Sequence, residues 1–185
     1  MGIDPSLTAT GLASSSTDGA RRAGRVGRKG VLALPLHDRI VAILLLADQI
    51  EEWIVASGPA LAVMEAPDVS HGYGGLVERI ELGWEIMRRL RALEVPLVLV
   101  PSAILKAYAT GKGGGPTTSK RHIVAAVATY WPEYATRDNN ECDAAVLAEI
   151  GMDWLTGHRR VSDERSADWL NRGSIQWPSK IEQVF

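Results

Sequence analysis

Hydrophobic positions along the chain follow two different periods. Residues 60–64 and 95–100 are apolar at almost every position, as expected of strands that are buried on both faces of a sheet. Between 37 and 57, apolar residues recur every three or four positions, which predicts a long helix with one apolar stripe. The stripe consists of Ile40, Ile43, Leu44, Ala47, Ile50 and Ile54.

Three short strands are predicted before the first helix. Residues 2–8 and 12–15 form the first two, with a tight link at Thr10 and Gly11, and residues 31–34 form the third. The segment 17–30 is rich in Gly and Arg and is predicted to be an exposed loop. A parallel crossover needs about a dozen residues, so strands at such short spacing must be antiparallel.

Four further helices are predicted after residue 75. The second helix of the chain is marked by Leu76, Ile80, Gly83, Met87 and Leu90, and a short helix covers 101–109. Ser119 is the expected N-cap of a helix to Trp131, and Asp138 or Asn139 the N-cap of one to about Trp154. The pattern therefore predicts an α/β fold with a five-stranded mixed sheet, three antiparallel strands and then two parallel ones, flanked by helices. It predicts one domain over 1–156 and a C-terminal extension over 157–185 with no assigned role.

The composition argues against a membrane-spanning protein and against a secreted protein with disulfides. With 185 residues and 46% hydrophobic residues, the chain has enough apolar side chains for a globular core. No apolar run reaches the roughly 18 residues that span a bilayer, so no membrane association is expected. Asp4 and Pro5 stand where a signal peptide would carry its basic region. The single cysteine, Cys142, cannot form an internal disulfide, which favours a cytoplasmic location.

Basic residues are clustered although the formal net charge is −2. Local patches of this kind can bind phosphate whatever the total charge. One patch without an acid contains Arg21, Arg22, Arg25, Arg28 and Lys29, and a second contains Lys106, Lys112, Lys120 and Arg121. We interpret both patches as DNA-binding, although the first could also be a solvated hairpin tip.

Three acids stand at the expected ends of elements. Asp4 ends the first strand, Glu65 follows the apolar run 60–64, and Asp143 begins an apolar helical run. Each has a simpler interpretation on its own: a turn residue, a charge at the rim, and an acid favoured by the helix dipole. Together they fit a site for divalent cations, because Mg²⁺ prefers oxygen ligands and a pair of such ions can promote phosphodiester cleavage.

Five short motifs then occur in a particular order. They are GIDPSLTATG at 2–11, VMEAP at 63–67, VPSAILK at 100–106, TGK at 110–112 with SKR at 119–121, and ECDAA at 141–145. In this order and spacing the chain resembles the RuvC Holliday junction resolvases over residues 1–155, and more closely the RuvC-like resolvases of bacteriophages.

The resemblance implies a ribonuclease-H-like fold, a homodimer and paired symmetric nicking of four-way DNA junctions in a bacterial or phage-infected cell. It also implies two Mg²⁺ ions per site, replaceable by Mn²⁺. By position, Asp4, Glu65 and Asp143 would be metal ligands, while Lys106 and Lys120 would contact phosphate near the cleavage site. The family inserts a loop aromatic into the junction, a role for which His71 and Tyr73 are the candidates here.

The chain departs from the family three residues before the last acid. The bacterial pattern has an acid at that position, whereas this chain has Asn140. Residues three apart share a helix face, so Asn140 is expected beside Asp143 as a fourth, uncharged ligand. Asp138 is better placed as the N-cap and Glu141 as its N3 partner. This predicts a high Mg²⁺ requirement.

Three other functions remain to be weighed. The glycine-rich segment 111–115 lacks the ending and strand context of a nucleotide-binding loop, so no nucleotide cofactor is expected. A nuclease of the same fold that cuts flaps or forks is the nearest alternative. A junction-binding protein with weakened catalysis is another, since Asn140 replaces an acid.

Overall fold

The computed structural model describes residues 1–67, 74–111, 119–157 and 174–178. Its strands are β1 (Gly2–Asp4), β2 (Thr10–Ser15), β3 (Arg21–Val26), β4 (Ala62–Glu65) and β5 (Leu97–Val100). Its α-helices are α1 (Leu36–Ser57), α2 (Leu76–Ala92), α3 (Ser102–Thr110), α4 (Lys120–Tyr130) and α5 (Asn139–Thr156), with short 3₁₀ turns at Val31–Ala33 and Pro132–Tyr134.

The five strands form one mixed sheet in the order β3-β2-β1-β4-β5. The pairs β1–β2 and β2–β3 are antiparallel, and the pairs β1–β4 and β4–β5 are parallel. This confirms the predicted fold class. Because β1 and β4 run in the same direction, Asp4 and Glu65 end their strands at the same edge of the sheet.

The prediction of the third strand is wrong. That strand is Arg21–Val26, inside the segment predicted as a loop, whereas Val31–Ala33 is a 3₁₀ turn after Gly30 in the left-handed conformation. The strand is built from arginines whose side chains alternate between two faces. Gly24 faces Trp53 of α1, whose Cζ2 would lie 2.9 Å from a Cβ at that position. Charged side chains also suit an edge strand, since they discourage pairing with another chain.

The tight link predicted at Thr10 and Gly11 is also wrong, because both residues belong to β2. The turn comes earlier, between Asp4 and Thr10. The buried Thr10 hydroxyl closes it by donating to the Ser6 carbonyl at 2.7 Å and accepting from the Ser6 N–H at 3.0 Å. The sequence pattern missed this turn because a side chain, not a glycine, supplies its hydrogen bonds.

The sheet separates two hydrophobic clusters. One lies under α1 and α2, and the other under α3, α4 and α5. The α1 stripe is confirmed at Ile43, Ala47, Ile50 and Ile54, which are buried. Ile40 and Leu44 were assigned to the same stripe but are 49% and 40% exposed. No helix in the described part of the chain is long and apolar enough to cross a bilayer.

Helix α5 lies directly on the backbone of β1 and β2. A Cβ at Gly2 would stand 1.9 Å from the Ala144 carbonyl oxygen, and one at Gly11 would stand 1.9 Å from the Asn140 carbonyl oxygen. Only glycine permits this approach, because real Cβ atoms essentially never come within 3.0 Å of such an atom. The contact brings the first turns of α5 close to the end of β1.

Part of the predicted C-terminal extension is described. Trp177 stacks on Trp154 of α5 with ring centroids 4.8 Å apart, and Ile175 is buried in the cluster under α3, α4 and α5. These contacts seal one end of α5. The domain boundary at residue 156 stays a prediction.

Candidate active site

The side chains of Asp4 and Glu65 lie close enough for a hydrogen bond at the edge of the sheet. Strands β1 and β4 pair in register, with Ile3 beside Met64, so the next residues are neighbours. Burial, together with the charge and hydrogen bond of Glu65, raises the pKa of Asp4 well above its ordinary value.

Asp143 comes to the same place from the second turn of α5. Burial and the charge of Glu65 raise its pKa to about 7, while Lys120 and Lys106 act in the opposite direction. Its charge also contributes to the raised pKa of Asp4. The three acids therefore form one interacting group, although they are far apart in sequence.

The acids line a cleft of about 460 Å³, here called the acid cleft. Its walls come from β1 and the turn after it, from β4, and from α2, α3, α4 and α5, and they carry both charges. The lining residues are Asp4, Pro5, Ser6, Glu65, Arg79, Ser102, Lys106, Ser119, Lys120, Ile123, Asn140 and Asp143. All four predicted metal ligands and two of the predicted phosphate contacts are thus brought together.

The acids share one cleft but do not form a ready-made metal-binding cluster in the described residues. Among the described residues, no group of three or more His, Cys, Asp or Glu side chains is positioned to hold a metal ion. Asp4 and Glu65 instead lie close enough for a hydrogen bond between their side chains. The donor set nonetheless suits a hard cation, since carboxylate and amide oxygens are its preferred ligands.

Asn140 lies one helical turn before Asp143, and its side chain both lines the cleft and forms a hydrogen bond to the turn after β1. Its amide Nδ2 donates to the carbonyl oxygen of Ala9. A carbonyl only accepts hydrogen bonds, so the amide nitrogen must face Ala9, and Oδ1 is the atom turned away from it. Asn140 therefore holds the turn between β1 and β2 while lining the cleft.

The two other candidates for a fourth ligand, Asp138 and Glu141, accept hydrogen bonds from backbone N–H groups at the start of α5. Asp138 is the N-cap of α5, and its Oδ1 accepts from the Glu141 N–H at 3.0 Å. Glu141 is buried and accepts from the backbone N–H of Arg137 at 2.7 Å and from its guanidinium at 3.0 Å. Neither residue lines the acid cleft.

A second cavity of about 210 Å³ joins the acid cleft at Asp4, Pro5, Glu65 and Arg79. Its other walls are Ala66, Pro67, Leu76, Ile80 and Gly83. Sequence reasoning did not identify this cavity, here called the apolar recess. A signal for it was present, because the helix after β4 must begin at the edge where Glu65 lies.

Three helices begin around the acid cleft. Ser102 opens α3, Ser119 is the N-cap of α4, and Asn140 is in the first turn of α5. Helix N-termini attract anions through their free N–H groups and dipoles. The Ser119 backbone N–H is already used, donating to Nδ1 of His122 at 3.1 Å.

The prediction that Arg21 contacts DNA conflicts with its environment. Its side chain is 4% exposed, and its Nε donates to Glu149 Oε1 at 2.8 Å. Burial lowers the pKa of Arg21, but the hydrogen bonds and charge of Glu149 outweigh it, and the net shift is upward. Tyr134 completes the buried group by donating its hydroxyl to Glu149 at 2.8 Å.

The remaining basic residues near β3 divide between two ends of the strand. Arg22, beside Arg21, lies over the ring of Trp53 at 4.4 Å, far from Asp4. Arg25 is near the Asp4 end and forms an ion pair with Asp138. Arg28 and Lys29 follow the strand and are exposed.

The segment that carries Arg28 is hydrogen-bonded to the turn that follows Asp4. Its backbone N–H donates to the carbonyl of Leu7, in the turn after β1, at 2.9 Å. In the second basic patch, Arg121 is exposed next to Lys120. His71, Tyr73 and Lys112 lie outside the described residues.

No family model matches the chain. Among curated proteins, it is 31% identical over 166 residues to the UDP-N-acetylglucosamine–N-acetylmuramyl-(pentapeptide) pyrophosphoryl-undecaprenol N-acetylglucosamine transferase of Burkholderia cenocepacia, covering 86% of this chain and 43% of that protein. The protein of the same name from Burkholderia ambifaria is 30% identical over 170 residues, covering 88% and 44%. The chain thus spans about two fifths of the length of these relatives.

Among solved structures, the fold is similar to Thermus thermophilus RuvC. The TM-score is 0.59 at 19% identity, covering 80% of this chain and 89% of that one. A structure of T. thermophilus RuvC in complex with a Holliday junction substrate has the same TM-score at 16% identity, covering 80% and 87%. The chain therefore has a RuvC-like, ribonuclease-H-like fold.

Proposed function

We propose that the protein is a Mg²⁺-dependent endonuclease that resolves four-way DNA junctions by paired symmetric nicks. The observation that carries this proposal is the convergence of Asp4, Glu65, Asn140 and Asp143 on one cleft whose wall also carries Lys106 and Lys120. Acids alone would repel a phosphodiester, and lysines alone would bind it without a place for cations. The RuvC-like fold, and the junction bound by the T. thermophilus protein, add support.

Asp4, Glu65 and Asp143 would hold the cations, with Asn140 Oδ1 as the uncharged fourth ligand. Mg²⁺, or Mn²⁺ in its place, would supply Lewis-acid activation of water and charge neutralisation at the scissile phosphate. The raised pKa values of Asp4 and Asp143 support this assignment, because a cation would offset the cost of ionising buried neighbouring carboxyl groups. With a cation held there, these carboxyl groups would be favoured in the ionised form.

The basic side chains would bind the substrate. Lys106 and Lys120 reach the cleft from α3 and α4, where each would neutralise a phosphate beside the acids. Lys120 would also offset charge that develops on the phosphate during cleavage. Arg25, Arg28, Lys29 and Arg121 would contact more distant phosphates, and His71, Tyr73 and Lys112 are proposed from sequence alone.

A homodimer would match the two-fold symmetry of a four-way junction. We infer that the outer face of α1 and α2 joins the two copies. The first turns of these helices are held together by the Arg39–Glu78 ion pair. This face exposes large apolar side chains of the kind that mark protein interfaces. They are Leu36, Ile40, Val41, Leu44 and Leu45 of α1 with Val77 and Trp84 of α2.

The finer parts of the proposal rest on the sequence motifs. These are the relation to phage resolvases, action in the cytoplasm of a bacterial or infected cell, and a nuclease domain over 1–156 with an extension over 157–185. The stacking of Trp177 on Trp154 supports a stabilising role for at least part of that extension.

One assay tests the central proposal. The purified protein is incubated with a synthetic four-way junction, a flap, a fork and a linear duplex, each with Mg²⁺ and with chelator. We expect symmetric nicks in the junction, only with the cation, and none from Asp143→Asn protein that still binds the junction. Cleavage of flaps and forks at the same rate would favour the broader nuclease. Binding without cleavage by the wild-type protein, in Mg²⁺ and in Mn²⁺, would favour the weakened junction-binding protein.

The curated relatives support a second candidate, transfer of N-acetylglucosamine from its UDP conjugate. Their names state that activity, and a cleft with lysines could also take a diphosphate. Calorimetry with UDP-N-acetylglucosamine separates the candidates. Binding of the sugar nucleotide together with failure to cut any DNA would contradict the nuclease proposal.

A further inference from the structure

The apolar recess differs in chemistry from the acid cleft that it joins. Asp4 and Glu65 form the border between them, and beyond that border the walls are chiefly apolar. Pro5, Ala66 and Pro67 form one side and Leu76, Ile80 and Gly83 of α2 the other. Such a cavity has little affinity for hydrated ions and suits a flat apolar group.

Gly83 keeps the recess open. It lies inside α2 and is buried, yet a Cβ at this position would meet no heavy atom of the described residues within 4 Å. This contrasts with Gly2 and Gly11, where a Cβ would strike the α5 backbone. A glycine inside a helix costs about 1 kcal/mol relative to alanine. Packing does not require the glycine here, but space in the recess does.

We propose that the recess receives one unstacked nucleobase of the strand whose phosphate lies in the acid cleft. This inference rests on the proposed nuclease function and deepens it. A phosphate over Asp4 and Glu65 has its own nucleotide at the mouth of the recess, because the same two residues line both cavities. Arg79 also lines both cavities, so a cationic side chain stands where the base meets its phosphate.

The recess selects the class of substrate. Its volume of about 210 Å³ takes a single base and not a stacked pair. A base must therefore leave the duplex, which costs a few kcal/mol and costs least where pairing is already disturbed. Branch points supply such nucleotides, whereas linear duplex does not. The preference for branched DNA would then arise at the cleavage site as well as from the dimer's symmetry.

The test compares Gly83→Leu, whose side chain fills the recess, with Ala92→Leu, which adds the same side chain at an exposed position of the same helix. We expect Gly83→Leu to cut the junction at least about tenfold more slowly, a typical effect of filling a substrate pocket, and Ala92→Leu to be unchanged. A junction with an abasic residue beside the scissile phosphate should slow the wild-type protein but not slow Gly83→Leu further. Thermal unfolding of both variants confirms that they fold.

Binding gives a second readout that does not require cleavage. A junction carrying 2-aminopurine beside the cleavage site is titrated with Asp143→Asn protein and with the Asp143→Asn, Gly83→Leu double variant. We expect the fluorescence change that reports unstacking with the first protein and its loss with the second. Equal fluorescence in both proteins, or equal cleavage by Gly83→Leu and wild type, would overturn the base-binding inference alone. Absence of junction cleavage by the wild type would instead count against the nuclease, and the titration would still decide whether the recess takes a base.

Discussion

Gly11 of β2 lies so close under Asn140 of α5 that a Cβ on the glycine would stand 1.9 Å from the asparagine carbonyl oxygen. This relationship links the middle of the sheet to the helix turn that carries the candidate ligands. Any side chain at Gly11 must push the start of α5 away from β1. The geometry of the acid cleft thus depends on residue 11 being a glycine, which has no Cβ.

Gly11→Ala should therefore lower both stability and cleavage. We expect a loss of about 1–3 kcal/mol in the free energy of unfolding, as for other overpacked sites, and a larger loss of cleavage than of junction binding. Urea unfolding and gel assays measure these. Gly74→Ala is the matched control for stability, because a Cβ at residue 74 would lie within 4 Å of no heavy atom of the described residues. A Gly11→Ala protein as stable as the wild type would contradict the close contact.

Stability without divalent cations should fall as the pH rises from about 4 to about 7. The pKa of Asp143 is raised from 3.8 to about 7 in the folded protein, so in this window the folded chain binds more protons than the unfolded one. The raised pKa of Asp4 acts in the same direction. Asp143→Asn should then raise the free energy of unfolding at pH 8 by at most about 4 kcal/mol, at about 1.4 kcal/mol per pKa unit, with little gain near pH 4. Denaturant unfolding of both proteins in chelator at the two pH values measures this, and a gain that is equal at both would contradict it.

Asn140→Asp should exchange stability for metal affinity. An aspartate cannot donate to the Ala9 carbonyl, so the loss of that hydrogen bond should cost about 1 kcal/mol in chelator. With Mg²⁺ the added charge should lower the concentration that gives half-maximal cleavage, whereas Asn140→Ala should raise it. Metal titrations of the cleavage rate provide the measurement. If Asn140→Ala has the wild-type metal dependence while Glu141→Ala abolishes cleavage in a folded protein, the fourth ligand is wrongly assigned.

Two arginines near β3 should respond differently to the same substitution. Arg21→Met leaves Glu149 buried without its ion-pair partner and should cost about 3–5 kcal/mol of stability. Arg28→Met, at an exposed position, should change stability by less than about 0.5 kcal/mol. DNA binding should respond in the opposite way. Arg28→Met should lower the slope of log affinity against log salt by about one, because it removes one phosphate contact, and Arg21→Met should leave the slope unchanged. A lower slope for Arg21→Met in a folded protein would show that Arg21 does reach DNA.

Leu45→Glu should separate the dimer. Leu45 is 53% exposed on α1, so a charge there costs the single chain little but would be buried in the proposed interface. Light scattering should show monomers for Leu45→Glu and dimers for the wild type, and paired nicks should become single nicks. Glu52→Gln, further along α1, is the control. A dimeric Leu45→Glu protein would place the interface elsewhere.

Much of the fold could be predicted because local patterns determine it. Helix α1 follows from its apolar period, and β4 and β5 from their unbroken apolar runs. Asp138 was recognisable as an N-cap, because short polar side chains suit that position. The acids at the ends of β1 and β4 followed once these strands were located.

The missed features depend on contacts between distant residues. Arg21–Val26 carries no apolar run, and it becomes a strand because β2 pairs with it and because Glu149, 128 residues later, neutralises Arg21. Ile40 and Leu44 have the period of core residues but lie beyond the surface that the sheet can cover. The spacing of apolar residues predicts which face of a helix a residue occupies. It does not predict whether another element packs against that residue.

The sequence by itself determined which residues could coordinate a cation and at which ends of elements they stand. Only the tertiary structure decided that Glu65 lies close enough to Asp4 to help raise its pKa, that Asn140 is held by Ala9, and that an apolar recess opens beside them. The physical reason is that residue type and period are local properties. Distances within a site, and the pKa values that follow from burial and neighbouring charge, exist only once β1, β4, α2 and α5 have packed together.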